Sequence, residues 1–197
     1  MTTPRFFALL FSLALSPIAL ADSPLFKDSF DADTEVPQRR AMRGDWKIND
    51  GVATVTQNNE LYKKYKDHGP IIFYDLPTTD ATFRYAVKPE GCKSVVFTIN
   101  GDGHVFRFVT GERGTNVRAF PPRDDHKSIS TAQKPEWLLT DCEWTTVEVE
   151  VDGETVTVKF GEHEPITVEH ATYANKKTNF SIGHSFGTLS VRDVAVE

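Results

Sequence analysis

Hydrophobic and polar residues alternate one for one along most of this chain, the pattern of strands that bury one face. The clearest case starts at Trp144, in "WTTVEVEVDGETVTVKFGE". There Val147, Val149 and Val151 alternate with Glu148 and Glu150, Asp152-Gly153 turns the chain, and Val156, Val158 and Phe160 carry the pattern back. "WKINDGVATVTQ" reads as two short strands around Asn49-Asp50-Gly51, an Asx-Gly signal for a tight hairpin. In "DATFRYAVKP", Phe83, Tyr85 and Val87 oppose Thr82, Arg84 and Ala86. "SVVFTINGDGHVFRF" gives another pair, and the turn alone accounts for Gly101, Asp102 and Gly103, since such turns need positive φ. A last pair flanks Phe186-Gly187. Helical periodicity is almost absent. Some ten to twelve strands at these turn spacings predict an all-β fold, a two-sheet antiparallel β-sandwich. Residues 120–143 break the rhythm as a long polar connection, and loops of that length are often functional or pinned.

The N-terminus is of a different kind. Arg5 precedes an apolar run, Phe6–Leu15, too short to span a bilayer, and Ala19-Leu20-Ala21 offers a small-x-small cleavage site. Residues 1–21 therefore read as a secretory signal peptide and 22–197 as one domain, secreted or periplasmic, with no membrane association after cleavage. The formal net charge is −6, with no basic cluster. That argues against nucleic acid, whose phosphates need Lys/Arg neutralisation, and against anionic lipid surfaces. In an exported chain the isolated pair Cys92 and Cys142 reads as a disulfide, worth on the order of 4 kcal/mol in the chain-entropy model. It would also pin the end of the 120–143 segment.

The order of "FKDSFD", "GDWKINDGVATV", "CEWTTVEVEVDGETVTVKFGE" and "FSIGHSFGTLSVRDVAVE" resembles the concanavalin A-like lectin/glucanase jelly roll. More narrowly, it is similar to the secreted bacterial domains of the 3-keto-disaccharide hydrolase type. The resemblance covers nearly the whole of residues 22–197 and rests on turns and core strands. It implies two antiparallel sheets packed face to face, the concave one often binding glycan. The Glu-x-Asp-x-x-Glu strand of the endo-glucanase branch is absent, and the Asn-Ser-Gly strand of the narrower family is here "CKSVVFTING".

Candidate chemistry follows from these strands. Glu148 and Glu150 share a strand face about 7 Å apart, a spacing that suits glycosidic cleavage, although any strand with a wet outer face alternates in this way. Strict alternation puts His104 with Phe106 and Phe108, and Arg107 on the opposite face, unless a bulge intervenes. Arg84, Arg107 and Arg118 are expected to line a concave face with His104 at its rim, as arginine donors suit sugar hydroxyls and carboxylates. Trp46 and Trp144 are expected in the core, and Trp137, in the long segment, as an exposed platform for a sugar ring. First and last strands pair in jelly rolls, so Asp28, Asp31 or Asp33 beside Asp193 form a candidate structural calcium site. The leading expectation is a glycan-recognising domain with a carbohydrate ligand. A glycoside-processing enzyme related to the keto-disaccharide hydrolases is the second reading, and a structural or protein-interaction jelly roll the third.

Overall fold

The computed structural model describes residues 24–31, 34–122 and 127–197; the expected signal peptide and Asp33 lie outside the described residues. The strands in chain order are β1 (Phe26–Asp28), β2 (Arg39–Met42), β3 (Lys47–Asn49), β4 (Val52–Thr56), β5 (Ile71–Tyr74), β6 (Ala81–Glu90), β7 (Ser94–Gly101) and β8 (Gly103–Gly111). Then come β9 (Gly114–Ala119), β10 (Ile129–Lys134), β11 (Thr145–Asp152), β12 (Thr155–Phe160), β13 (Ile166–Glu169), β14 (Asn179–Ser185) and β15 (Thr188–Val196). One sheet runs β13-β12-β11-β6-β15-β4-β3, with β1 beside the far end of β15; the other runs β10-β9-β8-β7-β14-β5-β2. The pairings are antiparallel, so the fold is the two-sheet antiparallel sandwich that the alternation predicts, in the jelly-roll form that the resemblance implies.

The strand count exceeds the expected one because β1, β2, β3 and β13 are only three or four residues long, too short to show a period. A six-residue helix, α1 (Asn59–Lys64), was equally hidden. It starts where the Asn58 side chain accepts hydrogen bonds from the backbone N–H groups of Glu60 and Leu61, satisfying donors a helix start leaves open. Part of the 120–143 segment forms β10 and extends the second sheet, with a bulge between Ser130 and Ala132 that blurs its alternation.

Hairpin chemistry acts at most of the expected positions, although in the β7–β8 turn Gly103 takes positive φ and Gly101 and Asp102 do not. Asp50 and Gly51 take φ of 48° and 80°, Phe186 and Gly187 take 63° and 59°, and Gly103 takes 89°. Between the sheets the inward positions interdigitate. Phe97 sits at the centre, near Phe83, Tyr85, Phe106 and Phe180 at centroid distances of 5.2 to 6.3 Å. From the opposite sheet Val147, Val149 and Val151 close this core, while Glu148 and Glu150 face away.

Candidate functional site

The site begins with one irregular residue. β7 and β8 pair regularly up to Ile99 opposite Phe106, and then Asn100 pairs with His104, so Val105 is extra on its strand. Val105 and Phe106 are consequently both buried, although they are neighbours in sequence. This bulge brings His104 and Arg107, three residues apart, onto the same outer face. Strict alternation had separated them.

Side chains then lock together across that face. Asn100 donates from Nδ2 to Asn179 Oδ1 at 2.8 Å, which turns its Oδ1 toward His104 Nδ1, 2.6 Å away. The His104 hydrogen therefore lies on Nδ1, and Nε2 is free to accept from Arg107 Nη2 at 2.9 Å. Arg107 Nε donates to Thr98 Oγ1 at 3.2 Å, and its guanidinium lies 5.1 Å over the Phe120 ring. His104 meets the same ring edge-on at 5.0 Å. Directly across from Arg107 on β9 stands Arg118, held by Ser128 Oγ at 2.8 Å and Asn116 Oδ1 at 3.2 Å.

The electrostatics are one-sided. Burial, and then the charge of Arg118, lowers the Arg107 pKa. Burial, and then Arg107, lowers that of His104, because a second ring hydrogen would face the guanidinium. A guanidinium has five N–H donors. Two of those on Arg107 are used, and among the described residues nothing takes the other three.

Arg118 and His104 thus join Arg107, but Arg84 does not. It lies on the outer face of the other sheet, donating to Glu148 Oε2 at 2.7 Å and paired with Glu197. Lys159 reaches Glu148 Oε1 at 2.6 Å. Partial burial opposes ionisation of Glu148, yet the bonds from Arg84 and Lys159 hold its carboxyl below the ordinary range. Glu148 and exposed Glu150 are therefore a solvated strand face.

Trp137 is not a platform either. It is 3% exposed, stacked on Phe160 and His163 at 5.8 and 5.3 Å, and its carbonyl accepts from Thr115 Oγ1. The nearby loop needs an apolar anchor, and Trp137 is that anchor. Trp144 reverses its expectation in the other direction: it is half-buried on the outer face, with the Arg192 guanidinium 4.2 Å over its ring. Trp46 packs partly buried against the core.

The calcium set also comes apart. β1 does pair with β15, Asp28 opposite Val194. Asp28, however, is fully buried and its two oxygens accept from Arg39 Nη1 at 2.9 Å, Tyr74 Oη at 3.0 Å and the Phe30 N–H at 3.0 Å. Asp193 sits at φ 55° in an irregularity of β15 with its side chain 73% exposed, and among the described residues the Asp31 carboxylate accepts from Ser29 Oγ. Among the described residues no group of three or more metal-ligating acids, histidines or cysteines assembles.

Cys92 and Cys142 are free thiols rather than the expected disulfide. They share a corner of the fold, but hydrogen bonds pin it. Asp141 Oδ1 accepts from the Gly91 N–H at 2.7 Å, and the Cys142 N–H donates to the Pro89 carbonyl at 2.7 Å. Cys92 Sγ is turned to the Thr188 carbonyl, 3.0 Å away.

No protein-family model matches this chain, and no curated protein sequence does. Solved structures share its architecture. The carbohydrate-binding module CBM66 from Bacillus subtilis superposes with a TM-score of 0.60 at 9% identity, over 81% of this chain and 95% of that one. A family 7 alginate lyase gives 0.51 at 13% identity, over 76% and 78%. Chicken galectin 2 gives 0.50 at 13% identity, over 62% and 95%. At such identities the likeness establishes the fold: this chain is a concanavalin A-like jelly-roll sandwich.

Proposed function

We propose that this chain is an exported carbohydrate-binding sandwich that takes a sugar on the outer face of its seven-stranded sheet, at Arg107. The observation that carries the reading is the state of that guanidinium. It is half-buried, aimed by Thr98 and His104, backed by the Phe120 ring, and left with three N–H donors unused by any described residue. The sandwich gains little from this arrangement, since burial and the neighbouring Arg118 both disfavour the cation. The core closes beneath it without help, through Phe97, Phe106 and Phe108. An oriented fork of donors beside an aromatic face is suited to sugar hydroxyls and carboxylates. The carbohydrate-binding module that shares this architecture supports the reading at the level of fold analogy.

The test is a glycan array followed by titration of isotope-labelled protein. Amide shifts are expected on β7, β8 and β9, and they vanish in Arg107→Ala. That variant should fold at least as stably as the parent, because it loses a half-buried cation set against a like charge. Absence of binding to every glycan at millimolar concentration overturns the reading.

A further inference from the structure

We infer that the sugar taken at this face is an acidic one, carrying a carboxylate or sulfate that sits between Arg107 and Arg118. The inference rests on the carbohydrate reading above and narrows its ligand class. It starts from an asymmetry between the sheets. The chain carries 28 acidic residues, yet none of the seven strands of this sheet contains an Asp or Glu. The other sheet carries several, and its Arg84 and Lys159 both close on Glu148.

Within the acid-free sheet the arginines differ. Arg40, at one edge, has Asp75, from just beyond the end of the neighbouring strand β5, at 2.5 Å. Arg107 and Arg118 stand directly opposite each other in register. No carboxylate among the described residues lies within 4 Å of either. Like charges directly opposed across strands destabilise a sheet. An oxyanion placed between them relieves that repulsion and accepts from the planar forks, whose geometry matches carboxylate and sulfate oxygens. Phe120 then lies beside the ring that bears the acid. The formal charge of the whole chain is −6, so diffuse attraction to polyanions is unfavourable and binding must come from this local pair.

The experiment is isothermal titration of the purified protein with three length-matched oligosaccharides: a uronate, a sulfated sugar and a neutral glucan. The acidic ligands are expected to bind about tenfold or more tightly than the neutral one, with affinity falling as salt rises. Arg107→Gln and Arg118→Gln should each remove most of that preference, whereas Arg40→Gln, which has its own acid partner, should not. Preference for the uronate or for the sulfated sugar identifies which oxyanion the pair takes. Equal or tighter binding of the neutral glucan overturns the acidic inference while leaving carbohydrate binding intact. Acidic binding unchanged in both Gln variants overturns the placement between the arginines. No binding of any of the three, with a glycan array equally blank, overturns the carbohydrate reading itself.

Discussion

Acid should destabilise this fold through one histidine. His184 is an inward-facing residue of β14, 4% exposed. Its Nε2 lies 3.4 Å from the Gly187 carbonyl, so Nε2 carries the hydrogen, and among the described residues Nδ1 has no partner. Protonation would create a buried N–H with no acceptor. Burial therefore lowers its pKa from 6.5 to about 4, against a small opposing effect of the Gly187 bond. The folded-state value lies below the unfolded one, so as pH falls the unfolded chain takes up the proton first. The stability is fully present above the unfolded value and is lost progressively as pH falls toward about 4. Integrated over these two values, the loss between about pH 7.5 and about pH 5 is about 2 kcal/mol, and the limit in stronger acid is about 3 kcal/mol. Urea unfolding followed by tryptophan fluorescence at the two pH values measures it, in the parent and in His184→Gln. The parent should lose about 2 kcal/mol more than the variant over that interval. His104, whose pKa is also lowered, titrates in both proteins and cancels in the difference. Asp75 and Glu148, held low by their cationic partners, titrate below the window. If parent and variant lose stability in parallel, His184 is not the group responsible.

Three further outcomes follow from placements already described. Asp28→Asn should cost about 3–5 kcal/mol in urea unfolding, because it leaves Arg39 half-paired beside a buried hydroxyl; a cost under about 1 kcal/mol would show that Arg39 and Tyr74 find other partners. Trp137→Ala should lower stability by about 3–5 kcal/mol and leave glycan affinity unchanged, as its ring is spent on Phe160 and His163; lost affinity in a variant that still folds would return Trp137 to the binding face. A thiol reagent should label exposed Cys142 in the native protein and Cys92 only on unfolding, since burial pushes the Cys92 thiol up to about 11. Finding no titratable thiol would restore the Cys92–Cys142 bridge.

The layers of this fold were legible because alternation and turn chemistry report a buried face and a positive φ directly. Val147 to Val151, the Asp50-Gly51 hairpin and the Phe186-Gly187 hairpin each carry their own evidence in a few consecutive residues. The ion pairs were not legible. Asp28 looked like a free acid near a chain end, and only the partnership of β2 and β5 with β1's surroundings supplies Arg39 and Tyr74 to it. Trp137 and Trp144 were exchanged for a similar reason. A tryptophan's depth depends on which way its backbone turns, and neither the loop nor the start of β11 has a period to show it.

The candidate site turned on a single residue beyond the reach of periodicity. Arg107 was identified by its chemistry and its place on an outward-facing position, and Arg118 by its neighbouring strand. His104 was assigned to the wrong face because Val105 was counted as part of the alternation. The trace this bulge leaves in the sequence is two consecutive apolar residues, Val105-Phe106, where alternation allows one. Its effect is large for one residue. Without it, His104 would point to the core edge and Arg107 would lose the acceptor that fixes one arm of its fork. With it, a chain of side chains from Asn179 through Asn100 and His104 sets the direction of Arg107 before any ligand arrives. Preorganised donors bind with less entropy loss than donors that must be gathered, so under the proposed function the bulge would raise affinity without itself touching the ligand. Acid tests this link as well, since a proton on His104 Nε2 removes the acceptor and sets a positive charge against the guanidinium.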